Sequence, residues 1–184
     1  MKKRKLILFF SLLFIFLTCS LLLVSMSRSS IVFKLEGTTL AEEADLILIG
    51  LVKEGVSEEI KEEGGIFTFT TLAVQEVIKG PVISEIVIKE MGGTVGRRAS
   101  MVLGAPRFFK GEKVLVFLRN TGGGFFSVLG LSQGKFSIVK EPASGREMLV
   151  QDLSGLHFIG EEPQQQDKIY LEDYLQFLQS LSPK

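Results

Sequence analysis

Apolar positions along the chain change period several times, and each change marks an element. From Leu6 to Val24 a mostly apolar run carries no charge over 19 residues. As a helix it is about 28 Å long, close to the thickness of a bilayer core. Lys2-Lys3-Arg4-Lys5 precedes it, and a basic head stays on the cytoplasmic side. Residues 1–27 are therefore expected to form a signal peptide or membrane anchor that exports everything after them. Ser25-Met26-Ser27 offers a small-x-small cleavage site before Arg28, whereas the length of the run fits a retained anchor. Lipidation at Cys19 is a third route, although Phe16-Leu17-Thr18 is a poor lipobox and Leu21–Val24 behind it is still apolar.

The segment 28–39 is polar and mixed and reads as a linker. "LAEEADLILIGLV", 40–52, opens as an acidic turn and continues as an apolar run, which predicts a strand buried on both faces. "KEGVSEEIKEEGG", 53–65, is charged and ends on glycines, so a solvated loop or one frayed helical turn is expected. In "GIFTFTTLAVQEVIK" the apolar parity slips after Phe69 and again at Val77. A strand in a small closed barrel bends at bulges, and each bulge adds a residue and flips the parity. Two slips within 66–78 therefore predict a strongly coiled barrel strand, ended by the turn Lys79-Gly80-Pro81.

Val82 to Met91 reads as the next strand, with Ile86 and Ile88 on one face. Residues 94–112 lack periodicity and predict a long loop, with or without a short helix. "KVLVFLRN", 113–120, is apolar on both faces and should be central. The Gly122–Gly124 tip, the return strand 125–131, the "SQG" turn and the strand 135–141 follow, and 147–153 reads as an edge strand. Leu171, Tyr174, Leu175, Leu178 and Leu181 recur at three and four, which predicts an amphipathic helix over 170–181, packed on one open end of the barrel.

Charge narrows the partners. All 21 acidic residues follow residue 27, with 17 basic ones, so the exported part carries a formal charge of −4. Phosphate binding needs a basic surface, which argues against nucleic acid. No cysteine follows Cys19, so the fold cannot depend on disulfides and a cysteine-based metal site is excluded.

Reactive chemistry is sparse. His157 is the only histidine, and a serine triad would have to combine it with Asp152 or Asp167. No GxSxG motif marks a nucleophile. The pairs Glu42-Glu43, Glu58-Glu59, Glu62-Glu63 and Glu161-Glu162 sit in charged stretches and read as solvated faces, and no DxDxDG calcium loop is present. "GGTVGRR", 92–98, lacks the spacing of a phosphate-binding loop. The same region gathers Arg97, Arg98 and Arg107 with Phe108 and Phe109, the residue types of interaction hot spots. Arg97, Arg98, Arg107 and Phe108 are the expected binding residues; no catalytic residue, metal or cofactor is expected.

"EEADLILIGLV", a threonine-rich strand closing on "VIKG", then "GG", "KGEKVLVFL" and "GLSQGKFSIV" follow in an order that resembles exported bacterial proteins with an OB-like barrel. These are distantly similar to netrin-like and tissue-inhibitor-of-metalloproteinase domains. The matching positions are Ala44-Asp45, Thr70 or Thr71, Lys79-Gly80 and Gly111-Glu112. The inhibitor family chelates a protease zinc through an N-terminal cysteine, and no residue here can carry that role. The resemblance covers residues 40–140 and, together with the pattern above, leads to the expectation of a mostly β fold: a five- to six-stranded OB-like closed antiparallel barrel domain over 40–184 that includes the C-terminal helix. The expected function is a non-catalytic binding or scaffold module at the cell envelope, in contact with a protein or glycan, and with the membrane if residues 6–24 are retained. The alternatives are steric regulation of an extracellular protease and an uncharacterised hydrolase.

Overall fold

The computed structural model describes residues 30–159 and 168–181. The signal or anchor segment 1–27 lies outside the described residues, as do Glu161, Glu162 and Asp167. Among the described residues no helix is long and apolar enough to cross a membrane. The described residues are mostly β, with 52% of them in strands and two helices, one of them the expected helix at the C-terminal end.

Chain order is β1 (Ser30–Val32), α1 (Gly37–Glu43), β2 (Leu46–Ile60), β3 (Gly65–Lys79), β4 (Glu85–Met91), β5 (Gly93–Val95) and β6 (Arg98–Ser100). Then come β7 (Lys113–Gly122), β8 (Phe125–Val128), β9 (Lys135–Lys140), β10 (Glu147–Val150), β11 (Leu156–Phe158), β12 (Ile169–Tyr170) and α2 (Leu171–Leu181). The main sheet runs β12-β10-β9-β7-β2-β3-β4-β8, and β8 also pairs with β7. Five strands, β2, β3, β4, β8 and β7, therefore form a ring. The β4–β8 pair is parallel; the other four pairs of the ring are antiparallel. One edge of β7 is shared: Val114–Val116 pair with β9, and Leu118–Gly122 with β8.

Alternation along β2 and β7 builds two cores back to back. Leu46, Leu48, Val114, Val116 and Leu118 point into the ring, where they meet Leu72, Ile86, Ile88 and Val128. Ile47, Ile49, Leu115 and Phe117 point out of it, and they are buried just as deeply. Leu40 and Ala41 of α1, Leu171 and Leu178 of α2, and Phe136 and Ile138 of β9 cover this second face. So α2 packs on the outer face of the sheet rather than on an open end of the ring. The end of a ring has little apolar surface, whereas the outer face of β2 and β7 is a stripe that must leave water. Tyr174 anchors the packing, its ring 5.5 Å from that of Phe136 and 6.3 Å from that of Phe117.

Glu141 ties the entry of α2 to the sheet. Its buried carboxylate accepts hydrogen bonds from Lys168 (2.7 Å), Ser144 (2.6 Å) and Tyr170 (2.9 Å). Those donors, Lys168 foremost, push its pKa down to about 2.

The parity slips in β3 have two causes. Between Val74 and Val77 the register with β2 shifts at Gln75, as a bulge requires, and it shifts again at Ile78. After Phe69 there is no shift in β3. Thr70 and Leu72 face inward, while Phe67 and Phe69 belong to the outer face, where Phe69 meets Phe125 edge-on at 5.4 Å. The compensating shift lies on the partner strand, at Lys53.

Three local expectations change. Residues 53–60 are the continuation of β2, because Val56 pairs with Phe69 and the ladder runs to Ile60. Cross-strand pairing outweighs the weak strand preference of the glutamates. Residues 93–100 form the β5–β6 hairpin. The acidic turn is the end of helix α1, whose Ala41 and Glu42 carbonyls accept hydrogen bonds from Lys79 (2.8 and 3.0 Å). Gly80 follows with φ of +106°, and a Cβ there would lie 2.9 Å from the Leu46 side chain.

Phe117 is the largest fully buried side chain between sheet and helices. Phe117→Ala is expected to cost about 3–5 kcal/mol in urea unfolding, with early loss of amide protection in α2.

Candidate binding cleft

The connection 92–112 does not swing free. Its start is held where Gly92 N–H donates to the Ile66 carbonyl (2.7 Å) and the Thr68 hydroxyl donates to the Gly92 carbonyl (2.7 Å). At Gly93, with φ of +133°, a Cβ would collide with the Ser57 and Thr68 hydroxyls. Its middle is held where Ser30 Oγ donates to the Leu103 carbonyl and Ser132 N–H to the Gly104 carbonyl. Its end is tied to β2 by Gly111 N–H on the Val52 carbonyl and Val52 N–H on the Glu112 carbonyl. Held this way, the segment lies across one end of the ring.

Between segment and ring lies a cleft of about 870 Å³. Its lining includes Glu54 of β2, Thr68 and Thr70 of β3, and Glu90 of β4. The connection contributes Met101, Val102, Pro106, Arg107, Phe108 and Phe109 among others. Met91 (51% exposed), Met101 (85%) and Phe109 (64%) leave apolar surface at the opening.

Glu90 is the unusual member. It has the inward parity of Ile86 and Ile88, and its cross-strand neighbour is Thr68. The β4–β8 ladder ends at Ile88 and Phe126, and Glu90 Oε1 takes up the next free donor, the Val128 N–H, at 2.6 Å. No ion pair reaches it among the described residues. Burial pushes its carboxyl up to about 7, and the Val128 hydrogen bond offsets only part of this.

A second polar group closes the wall beside Phe108. Lys135, 5% exposed, pairs with Glu112, which also accepts from the Ser137 hydroxyl. Glu112 Oε2 receives the Phe109 N–H at 3.0 Å, so one carboxylate holds both the lysine and the loop. The Lys135 amine stands 5.4 Å from the centre of the Phe108 ring, which packs against the inner core.

Of the four expected binding residues, the fold brings two to the cleft. Arg107 lines it and pairs with Asp152 (3.1 Å), and Phe108 is half-buried in its wall. Arg97 is exposed at the turn of the β5–β6 hairpin, and Arg98 pairs with Glu59 of β2. Neither lines the cleft. Periodicity had already placed Ile86 and Ile88 on one face, and Glu90 follows at the same parity; reading that parity one step further finds it.

His157 is exposed on β11 opposite Ile31. Asp152 accepts from the Ser154 hydroxyl and amide and from Arg107 instead, which together hold its carboxyl below the usual range. Among the described residues no group of three or more His, Cys, Asp or Glu is placed to hold a metal. No protein-family model matches the chain, and neither a curated protein nor a solved structure does.

Glu90 gives a definite sign to the pH dependence. The unfolded carboxyl releases its proton near 4.5 and the folded one near 7, so its contribution to stability is fully present below 4.5 and is lost as pH rises to 7. Glu90→Gln keeps an acceptor for Val128 and is expected to be more stable than the parent at pH 8, by on the order of 2 kcal/mol, and little changed at pH 4. Urea melts at the two pH values measure this.

Lys135→Met should act in the opposite sense. It leaves the Glu112 carboxylate with little solvent and without its cation, and is expected to cost about 3 kcal/mol. Denaturant titration checks it, with Lys53→Met, which breaks only an exposed pair with Glu85, within about 0.5 kcal/mol of the parent.

Proposed function

We propose that this chain is a non-catalytic binding module of the cell envelope, built on an OB-like closed barrel, whose ligand sits in the cleft under residues 92–110. The cyclic order of the ring supports the barrel reading. Numbered along the chain, its strands run first, second, third, fifth, fourth and back to the first, with the parallel pair between third and fifth. That is the connectivity of an OB-like barrel, in which loops at the barrel mouth carry recognition.

The cleft itself carries the functional reading. The longest connection of the ring is pinned across one end yet leaves about 870 Å³ open, within the range of ligand sites. A connection needed only for closure would fill that volume with side chains. Instead Met101 and Phe109 stay exposed beside Arg107, an arrangement suited to an incoming protein or glycan. The apolar run 6–24 supports delivery across the membrane, either anchored or released.

A photo-crosslinking benzoylphenylalanine at Phe109 of the full chain, expressed in its host, tests this. A discrete adduct is expected at Phe109 and none at Val150, an exposed position on β10 outside the cleft. Indistinguishable adduct patterns at the two positions would reject the cleft as the contact surface.

A further inference from the structure

We infer that the ligand of this cleft presents a primary ammonium group on an apolar stem, and that Glu90 is the carboxylate that receives it. The inference rests on the cleft being the binding seat and adds the chemistry of the occupant.

Four charged side chains line the cleft, and Lys110 among them is exposed to solvent. Glu54 lines it from β2 and Glu90 from β4, while Arg107 and Lys110 line it from the connection. Arg107 is engaged by Asp152, on the segment after β10. The amine nearest the Phe108 wall, Lys135, is engaged by Glu112. Of these groups Glu90 alone extends the inward-facing row of a ring strand, and Oε1 is its one hydrogen-bonded oxygen among the described residues, bonded to Val128 N–H. Oε2 remains able to accept.

A carboxylate with little water and no protein cation is costly to ionise. A ligand cation offsets that cost, because a charge-assisted hydrogen bond is about twice as strong as a neutral one. An anionic or neutral ligand leaves it in place. The Thr68 and Thr70 side chains flank Glu90 on β3. Val102, Pro106 and Phe108 also line the cleft, an apolar surface that suits a methylene stem rather than a compact polar amine. A lysine side chain of a partner and a free alkylamine both meet these demands.

The methionines report on this directly, since Met91 and Met101 line the cleft whereas Met148 lies on β10. The full chain, labelled with 13C-methyl methionine and held in lipid nanodiscs, is titrated with 1-aminohexane, with Nα-acetyl-lysine methylamide and with 1-hexanol. At pH 8, saturable shifts of Met91 and Met101 but not Met148 are expected with one or both amines, and which amine acts separates the two sources. Affinity should fall about tenfold or more between pH 8 and pH 5.5. It should fall by a similar factor in Glu90→Gln, whose unchanged Met148 signal reports an intact fold.

Equal binding of 1-hexanol, or undiminished amine binding by Glu90→Gln, overturns the ammonium assignment and leaves the cleft standing as a site. No shift with any of the three probes overturns it as well. The Phe109 crosslink, which needs no such group, then decides the cleft separately.

Discussion

Everything in this fold depends on two strands that cannot show either face to water. From Leu46 to Ile49 and from Val114 to Leu118, β2 and β7 are buried on both sides. Closing the ring shelters one face only. The other needs a cover, and the chain supplies it from α1, α2, β9 and β10. Two cores thus share one pair of strands, and any change in their alternation disturbs both. Strands inside such a double layer have no tolerance for polar residues, which is why the charged half of β2 begins only after Val52.

That division places the cleft. Beyond Val52 the β2–β3 ribbon extends past the apolar interior, and its inward positions become Thr70 and Thr68, with Glu90 beside them on β4. The connection 92–112 covers this polar end instead of an apolar one. Its anchors are backbone hydrogen bonds and one half-buried carboxylate, Glu112, so it is held in position without filling the space beneath it. A polar end of the ring under a pinned loop is a place where water or a ligand can remain. Burial brings the titration of Glu90 up to about 7, so at neutral pH its carboxyl is divided between the acid and the carboxylate.

The positions that carry the resemblance to OB-like exported proteins have structural duties here. Ala44 is buried beneath α1, and the Asp45 carboxylate receives the Asn120 N–H at 2.8 Å. Lys79 caps α1, Gly80 makes room for Leu46, and Gly111-Glu112 ties the long connection to β2 and Lys135. Duties of this kind hold the ring and its covers together and point to no ligand.

Local pattern alone determined the strand-rich composition, the central place of 113–120, the inward face of Ile86 and Ile88, and the amphipathic helix at 171–181. In each case period and burial agree, because a side chain's face follows from its position along one element. Only the tertiary structure decided the rest. Residues 53–60 became strand because β3 was there to pair with them. The slip after Phe69 became a change of face because Phe125 lay outside the ring to meet it, and α2 settled on the sheet's outer face because that stripe had no other cover. Arg107 and Phe108 came to one cleft with Glu90 while Arg97 and Arg98 did not. Such outcomes depend on which distant segments meet, and the pattern within a single segment holds no record of its partners.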